Sequence, residues 1–404
     1  MTTLPDPTPA TDPEHGGSSL IPCPVPFASI PRATWDRLAA ANPAVTPFSR
    51  WTFHRAWWDA YGVTAHEQYL ACMSPQPASD VPLDPLADNE AIRGIVPLMH
   101  RHEVEPGDED TATVLRRRTQ AGTSVRPDAK AVFMAASYHA DYATLLCAPR
   151  DMDAVAETLA TSCCQPISAE DAIMPWDVID LRRLRGDDPA LPALEAAFRR
   201  HAARQNWQVR VEVEDVCPVL TLPEGGWEAY LGQLDGKARH EIRRKIRRVE
   251  ASGPITFELA PLNAESVDTF VELHSARWGE EGLFPHTEGG DRSRRFLHRL
   301  TELEAEDDAG AQLQLGQVRV GERLIFATVG FDDGTTCYFH NAGMDPAARD
   351  LSPGVTGTAA YLKDRMEAGR RRFDFLRGNE PYKYEWGAVD EPVHRLLVTR
   401  GDSS

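Results

Sequence analysis

The residues best placed to do chemistry gather near the end of the chain. In the stretch 372–387, RFDFLRGNEPYKYEWG, a strand-like run ends in Arg377-Gly378. An irregular segment then concentrates Asn379, Glu380, Tyr382, Lys383, Tyr384 and Trp386. Aromatic and charged groups on a loop beyond a strand end typify a site held by a rigid scaffold. Lys383, between two tyrosines, is able to place a positive charge on a developing oxyanion. A lysine stem lying on aromatic faces with its ammonium in water accounts for the same residues equally well. Upstream, residues 336–354 read as a strand, a short loop, and Ser352-Pro353-Gly354 opening a helix. Serine suits an N-cap, proline a first turn and glycine a close backbone approach. Free amides at that start, with the helix dipole, would hold an anion such as a pyrophosphate. An ordinary capped helix start needs no ligand at all. His340 reads as mid-strand, on the face of Tyr338 and Ala342; it is a candidate base or a packed, hydrogen-bonded core histidine.

Two further segments carry charge. GKARHEIRRKIRRVE (236–250) holds seven Lys/Arg against Glu241 and Glu250, a local excess of +5, with Ile242, Ile246 and Val249 forming a helical apolar stripe. Such a helix is able to meet a nucleotide, RNA or an acidic head group, or to be solvated and balanced by acidic loops. HSARWGEEG puts Arg277 and Trp278 at the end of a long helix. No nucleophile elbow, Walker loop, dinucleotide fingerprint or metal-ligand spacing occurs, so no metal is expected.

These segments hang on an element order that occurs twice. A helix at 51–61, with Phe53, Trp57 and Tyr61 four residues apart, is followed by strands at 68–73, 92–99 and 142–147, a helix at 152–163 and a strand at 177–181. Helices at 264–278 and 292–304 then precede strands at 312–320, 323–332 and 336–342, a helix at 355–368 and a strand at 372–376. Neighbouring strands joined by hairpins plus one crossover helix argue α+β, not a doubly wound parallel sheet. A helix at 190–205 and a strand-like run at 208–222 link the halves, with the boundary placed near Val216. Residues 1–26, with seven prolines and no apolar period, read as a disordered tail. The stretches 75–90 and 103–113 read as surface loops.

Composition narrows the class. The chain has 404 residues, 42% hydrophobic and 26% charged, which is globular usage and enough for two or three domains. Lys+Arg 43 against Asp+Glu 61 leaves −18, which argues against a whole-surface nucleic-acid or anionic-membrane binder. No apolar run is long enough to span a membrane, and the N-terminal residues do not read as a secretory signal. Seven scattered cysteines without a C-x-x-C pair read as reduced thiols. A cytoplasmic protein is expected.

Four segments together resemble a known family: PFSRWTFHRAWWDAYG (47–62), DYATLL (141–146), KARHEIRRKIRRVE (237–250) and LSPG…RRFDFLRGNEPYKYEWG (351–387). In this order they are similar to the CelD/BcsL (BioF-like) acetyltransferases of the GNAT superfamily, over about residues 45–400. The resemblance implies an α+β fold of two tandem GNAT-like domains, as in the related Fem-type aminoacyl transferases. Each would be a mixed, mostly antiparallel sheet flanked by helices, with domains at 27–215 and 216–404 after the 1–26 tail, and residues 394–399 returning to the first domain. It implies transfer of an acyl group, acetyl above all, from acyl-CoA to an amine or hydroxyl of a small molecule or saccharide, in cell-envelope or exopolysaccharide metabolism. Ser352, Pro353, Gly354 and Val355 would cradle the donor's pyrophosphate, and Lys383 would serve the reacting carbonyl. Asp374 and Arg377 would line the cleft, and Arg277, Trp278 and Tyr382 would face the acceptor. His340, Asp374 and Glu380 are the candidate general bases. ARDLSPGVTG departs from the superfamily's usual Gln/Arg-x-x-Gly-x-Gly/Ala loop. Two alternatives stand beside this reading. One is a Fem-like transferase using aminoacyl-tRNA, favoured by the +5 helix and opposed by the overall acidity. The other is a catalytically idle GNAT-fold binding protein.

Overall fold

Aromatic residues at helical spacing build the first elements, and apolar runs at strand spacing build what they pack on. The computed structural model describes residues 20–63, 65–75, 90–100, 129–165 and 176–401. The first half runs β1 (Ile21–Val25), α1 (Arg32–Ala41), α2 (Trp51–Tyr61), β2 (His66–Glu67), β3 (Tyr69–Met73), β4 (Ile92–Val96), β5 (Leu98–His100), β6 (Ala131–Met134), β7 (Leu146–Cys147), α3 (Met152–Ser162) and β8 (Val178–Arg185). After α4 (Ala190–Gln205) and β9 (Trp207–Thr221) come α5 (Gly226–Gln233), α6 (Gly236–Glu250), β10 (Ile255–Ala260), α7 (Ala264–Trp278) and α8 (Glu288–Ala305). The chain then forms β11 (Leu313–Val320), β12 (Arg323–Asp332), β13 (Thr336–Met344), α9 (Pro353–Glu367), β14 (Arg372–Asp374), α10 (Pro381–Glu385) and β15 (Val389–Arg400).

Among the described residues these strands make a four-stranded sheet, β1-β3-β4-β7, and an eleven-stranded one, β10-β11-β12-β13-β14-β9-β15-β8-β6-β5-β2. Every pairing is antiparallel except two: β6 with β8, and β13 with β14. Each parallel pair is three residues long and is bridged by a crossover helix, α3 in the first half and α9 in the second. The α+β expectation therefore holds, and the two halves share one plan.

β15 stitches the halves together. It pairs with β9 from Val389↔Val219 to Arg400↔Trp207, and its residues 393–399 also pair with β8. The expected return of residues 394–399 to the first half is thus seen. Val216 lies inside β9, so the change of halves occurs within one continuous strand. The main apolar core is likewise shared. The expected stripe of Phe53, Trp57 and Tyr61 is fully buried, and Phe53 meets Phe296 of α8 edge-on at 5.3 Å. Truncating a buried aromatic of this kind costs about 3–5 kcal/mol.

Several sequence expectations are corrected. The stretch read as a tail to residue 26 ends in β1, which pairs with β3; Pro22 and Pro24 are tolerated because β1 is an edge strand and gives up no inner ladder bond. Residues 1–19, most of the loop at 75–90 and all of 103–113 lie outside the described residues. Only Leu146–Cys147 of the strand expected at 142–147 is strand; Asp141 and Tyr142 instead turn toward the second half. α1, α5, β6 and β10 lacked a legible pattern of their own. All seven cysteines are free thiols. No helix among the described residues is long and apolar enough to cross a membrane.

Candidate active site

The site is organised by the fork between β13 and β14. Their parallel pairing stops at Tyr338↔Asp374, while β13 continues to Met344. Beyond that pair the strands part. On its other edge β13 pairs with β12, and the register shifts between Val329↔Asn341 and Gly330↔Phe339. His340 is therefore the extra residue of a β-bulge, a device that re-aims a side chain and opens the ladder locally. The bulge corrects the expected alternation: Tyr338 packs in the core shared between the halves, whereas Ala342 packs in the core under α9.

The re-aimed His340 meets a residue from the other half. Its Nδ1 lies 3.3 Å from Asp141 Oδ2, and Arg377 Nε donates to Asp141 Oδ1 at 2.7 Å. Burial pushes the pKa of Asp141 up, but Arg377 and His340 outweigh it and hold the carboxyl well below the usual range. The next residue, Tyr142, donates to Asp374 Oδ2 at 2.7 Å, and Asp374 Oδ1 accepts from Leu376 N. Asp374 is fully buried, and desolvation pushes its pKa up to about 6 despite these donors and the more distant Arg372. Three expected site residues, His340, Asp374 and Arg377, are thus brought together by two that sequence reasoning did not assign, Asp141 and Tyr142. The repeat of Asp-x-x-Arg at 180–183 and 374–377, at the same place in the two halves, marks Asp374 and Arg377 but neither Asp141 nor Tyr142.

Lys383 takes a different part from the expected one. It is 3% exposed, and its ammonium donates to the carbonyls of Leu376, Arg377 and Gly378 at 2.9–3.0 Å while pairing with Glu380 at 2.9 Å. Three donors on three carbonyls leave no proton for an oxyanion. The lysine instead fastens the turn after β14, where Leu376 and Gly378 both take positive φ. Glu380, held in that contact, is not free to act as a base.

The start of α9 also differs in detail. Ser352 adopts left-handed φ/ψ (46°, 56°) and does not cap the helix; its hydroxyl receives Arg248 from α6 at 2.7 Å. Pro353 occupies the first turn, which carries no acidic residue, and Gly354 lies against Met344. No side chain caps the helix, and a cation stands at its tip. Val355 is half-buried in the same turn.

At the rim, the Arg277 guanidinium lies 4.4 Å from the ring centroid of Trp278, and Tyr382 lies close enough to influence the charge of Arg277. Trp278 and Tyr382 are 42% and 40% exposed, so the rim offers aromatic faces to solvent. Beside His340 is a small pocket of about 20 Å³ lined by His139, Phe270, Phe284, Phe296 and Asn341, with room for roughly one water. No group of three or more His, Cys, Asp or Glu among the described residues is placed to hold a metal.

Residues 236–384 match the family model of the acetyltransferase (GNAT) domain. That span contains α6, both strands of the fork, α9 and Lys383. The chain is also similar in structure to FemX, with 10% identity, a TM-score of 0.54, and coverage of 91% of this chain and 96% of that one. A conserved protein of unknown function from Bacteroides thetaiotaomicron VPI-5482 has 13% identity, a TM-score of 0.50, and coverage of 92% and 98%. A tandem GNAT protein from the clavulanic acid biosynthesis pathway has 10% identity, a TM-score of 0.44, and coverage of 95% and 99%. No curated protein sequence matches. The architecture is two halves built to one plan, and the match of the second to a GNAT domain supports acyltransferase chemistry there.

Proposed function

We propose that this protein transfers an acyl group from acyl-CoA to an amine or hydroxyl acceptor at the fork between β13 and β14. The observation that carries this reading is the fork itself: a parallel pair that ends at Tyr338↔Asp374, with a bulge at His340, inside the span matching a GNAT domain. The uncapped, acid-free start of α9 beside Arg248 suits the donor's diphosphate. The thioester would then lie along β13, its carbonyl near the amides freed at the bulge, where an oxyanion gains most from preorganised donors.

Direct attack requires the acceptor to lose a proton. His340 takes it, with Asp141 as the positioning residue that fixes the ring through Nδ1. The acceptor's nitrogen or oxygen bonds to the acyl carbon, the carbon–sulfur bond breaks, and the proton passes on to the departing thiolate. Arg277, Trp278 and Tyr382 form the mouth on the acceptor side. Lys383 keeps Arg377 in place by holding its carbonyl.

The test is direct. Full-length protein incubated with acyl-labelled acetyl-CoA and an extract of small amines and sugars is expected to give a labelled product. His340→Gln should lower its rate about 100-fold or more. No labelled product from protein that binds acetyl-CoA would contradict the reading. Salt-sensitive retention of tRNA without acetyl-CoA binding would favour an aminoacyl-tRNA donor.

A further inference from the structure

Apart from the fork, the described residues form an open cleft between α6 and α9 of about 820 Å³, within the range of small-molecule sites. Its lining runs from Gly236 to Glu250, the whole of α6, so the groove is about 20 Å long at 1.5 Å rise per residue. The floor is aliphatic, with Ile242 and Ile246 from α6 facing Ala359 and Ala360 from α9.

The wall is cationic. Arg239, Arg243 and Arg247 recur every four residues, which places them in a row about 6 Å apart on one face of α6. Arg243 pairs with Glu228, but Arg239 and Arg247 donate only to the carbonyls of Gly232 and Arg243. Neither has a carboxylate partner among the described residues. Lys363 adds a third unpaired charge from α9. Of the four lining acids, Glu228 and Asp364 are held by arginines, while Glu250 and Glu367, the last residues of α6 and α9, also line the groove. In a chain of net charge −18, Arg239 and Arg247 thus lie along an apolar floor bound to carbonyls and not to carboxylates.

A bare phosphate would use the wall and waste the floor; a neutral chain would do the reverse. We propose that this groove binds an anionic amphiphile, an aliphatic chain lying on the Ile–Ala floor with a phosphate head among Arg239, Arg247 and Lys363. The lining holds none of the fork residues His340, Asp374 and Arg377, though it reaches Thr356 beside the start of α9, so amphiphile binding is read by itself, apart from product formation.

Calorimetric titration of the full-length protein with decyl phosphate, decyl glucoside and inorganic phosphate tests it. Decyl phosphate should bind at least about ten-fold more tightly than either control, a factor worth about 1.4 kcal/mol. The double variant Arg239→Ala/Arg247→Ala should lose about that factor. Ala360→Trp, which fills the floor without touching a charge, should weaken binding equally while leaving the circular dichroism spectrum and acetyl-CoA binding unchanged. Vesicles of phosphatidylcholine and phosphatidic acid in equal parts separate the sources. Retention that both variants abolish identifies a membrane lipid, and decyl phosphate binding without retention identifies a soluble amphiphile. Binding of inorganic phosphate as tight as that of decyl phosphate, no binding of any probe, or binding indifferent to both variants would overturn the proposal.

Discussion

Asp180 and Asp374 occupy the same place in the two halves: each is the third and last residue of a parallel pair, opposite Phe133 and Tyr338 respectively. Both are fully buried, yet their surroundings push them in opposite directions. Asp180 takes Arg395 on both oxygens at 2.5 and 2.8 Å and Arg182 at 2.8 Å. Desolvation raises its pKa, but the two guanidinium groups outweigh that and keep it low. Among the described residues Asp374 has no arginine in contact, only the Tyr142 hydroxyl and one amide, and burial prevails. The helix starts differ in the same sense. α3 opens with Asp151 and Asp153, and Asp151 is bound by Arg93 at 2.7 and 2.9 Å. α9 opens with no acid and with Arg248 at its tip. In one half the aspartate is tied by two arginines and the helix start carries acids; in the other neither holds.

The largest effect expected from this contrast lies in the first half. Arg395→Ala leaves Asp180 buried beside a single arginine and should cost about 3–5 kcal/mol of stability, read by urea denaturation. A cost below about 1 kcal/mol would mean that Arg395 is not what ties Asp180. In the second half, Asp374→Asn should change the pH dependence of stability. The folded pKa of about 6 exceeds the ordinary carboxylate value. Its favourable contribution is therefore complete below the unfolded pKa and is lost as pH rises through about 6. The variant should gain on the wild type by up to about 3 kcal/mol between pH 4 and pH 8. Parallel melting curves across that range would remove Asp374 from the comparison.

Asp141→Asn comes next. Leaving Arg377 without its carboxylate should cost about 1–3 kcal/mol. Without the carboxylate the His340 ring loses its Nδ1 partner, so kcat should fall while the KM for acetyl-CoA holds. A merely structural contact would raise KM or lower the folded fraction and leave kcat of the folded protein unchanged.

The elements these arguments rest on were unevenly legible. The stripe of Phe53, Trp57 and Tyr61, the basic helix α6 and the hairpin β11–β12 follow from periodicity, because local pattern and burial agree there. The bulge at His340 was not legible: an inserted residue is defined by the partner strand, and nothing in residues 336–344 announces it. Ser352 read as a cap because capping is a local rule; its left-handed backbone and its contact with Arg248, 104 residues away, are tertiary. Asp141 and Arg377 are 236 residues apart, so their pairing was beyond any local reading. Lys383 was found by residue type, and only the carbonyls around it revealed that its charge is engaged.

The central claim is that the second half alone presents an acyl-donor site, at the start of α9. Titration of acetyl-CoA into wild type and Val355→Asp by calorimetry tests it most directly. The added carboxylate copies the acid that α3 carries in its first turn, and it should stabilise the helix by about 0.3–1 kcal/mol through the dipole. The expected result is saturable binding to the wild type, weakened about ten-fold or more in a variant whose melting temperature does not fall. No heat with the wild type at millimolar acetyl-CoA, or equal affinity in both proteins, would contradict the account.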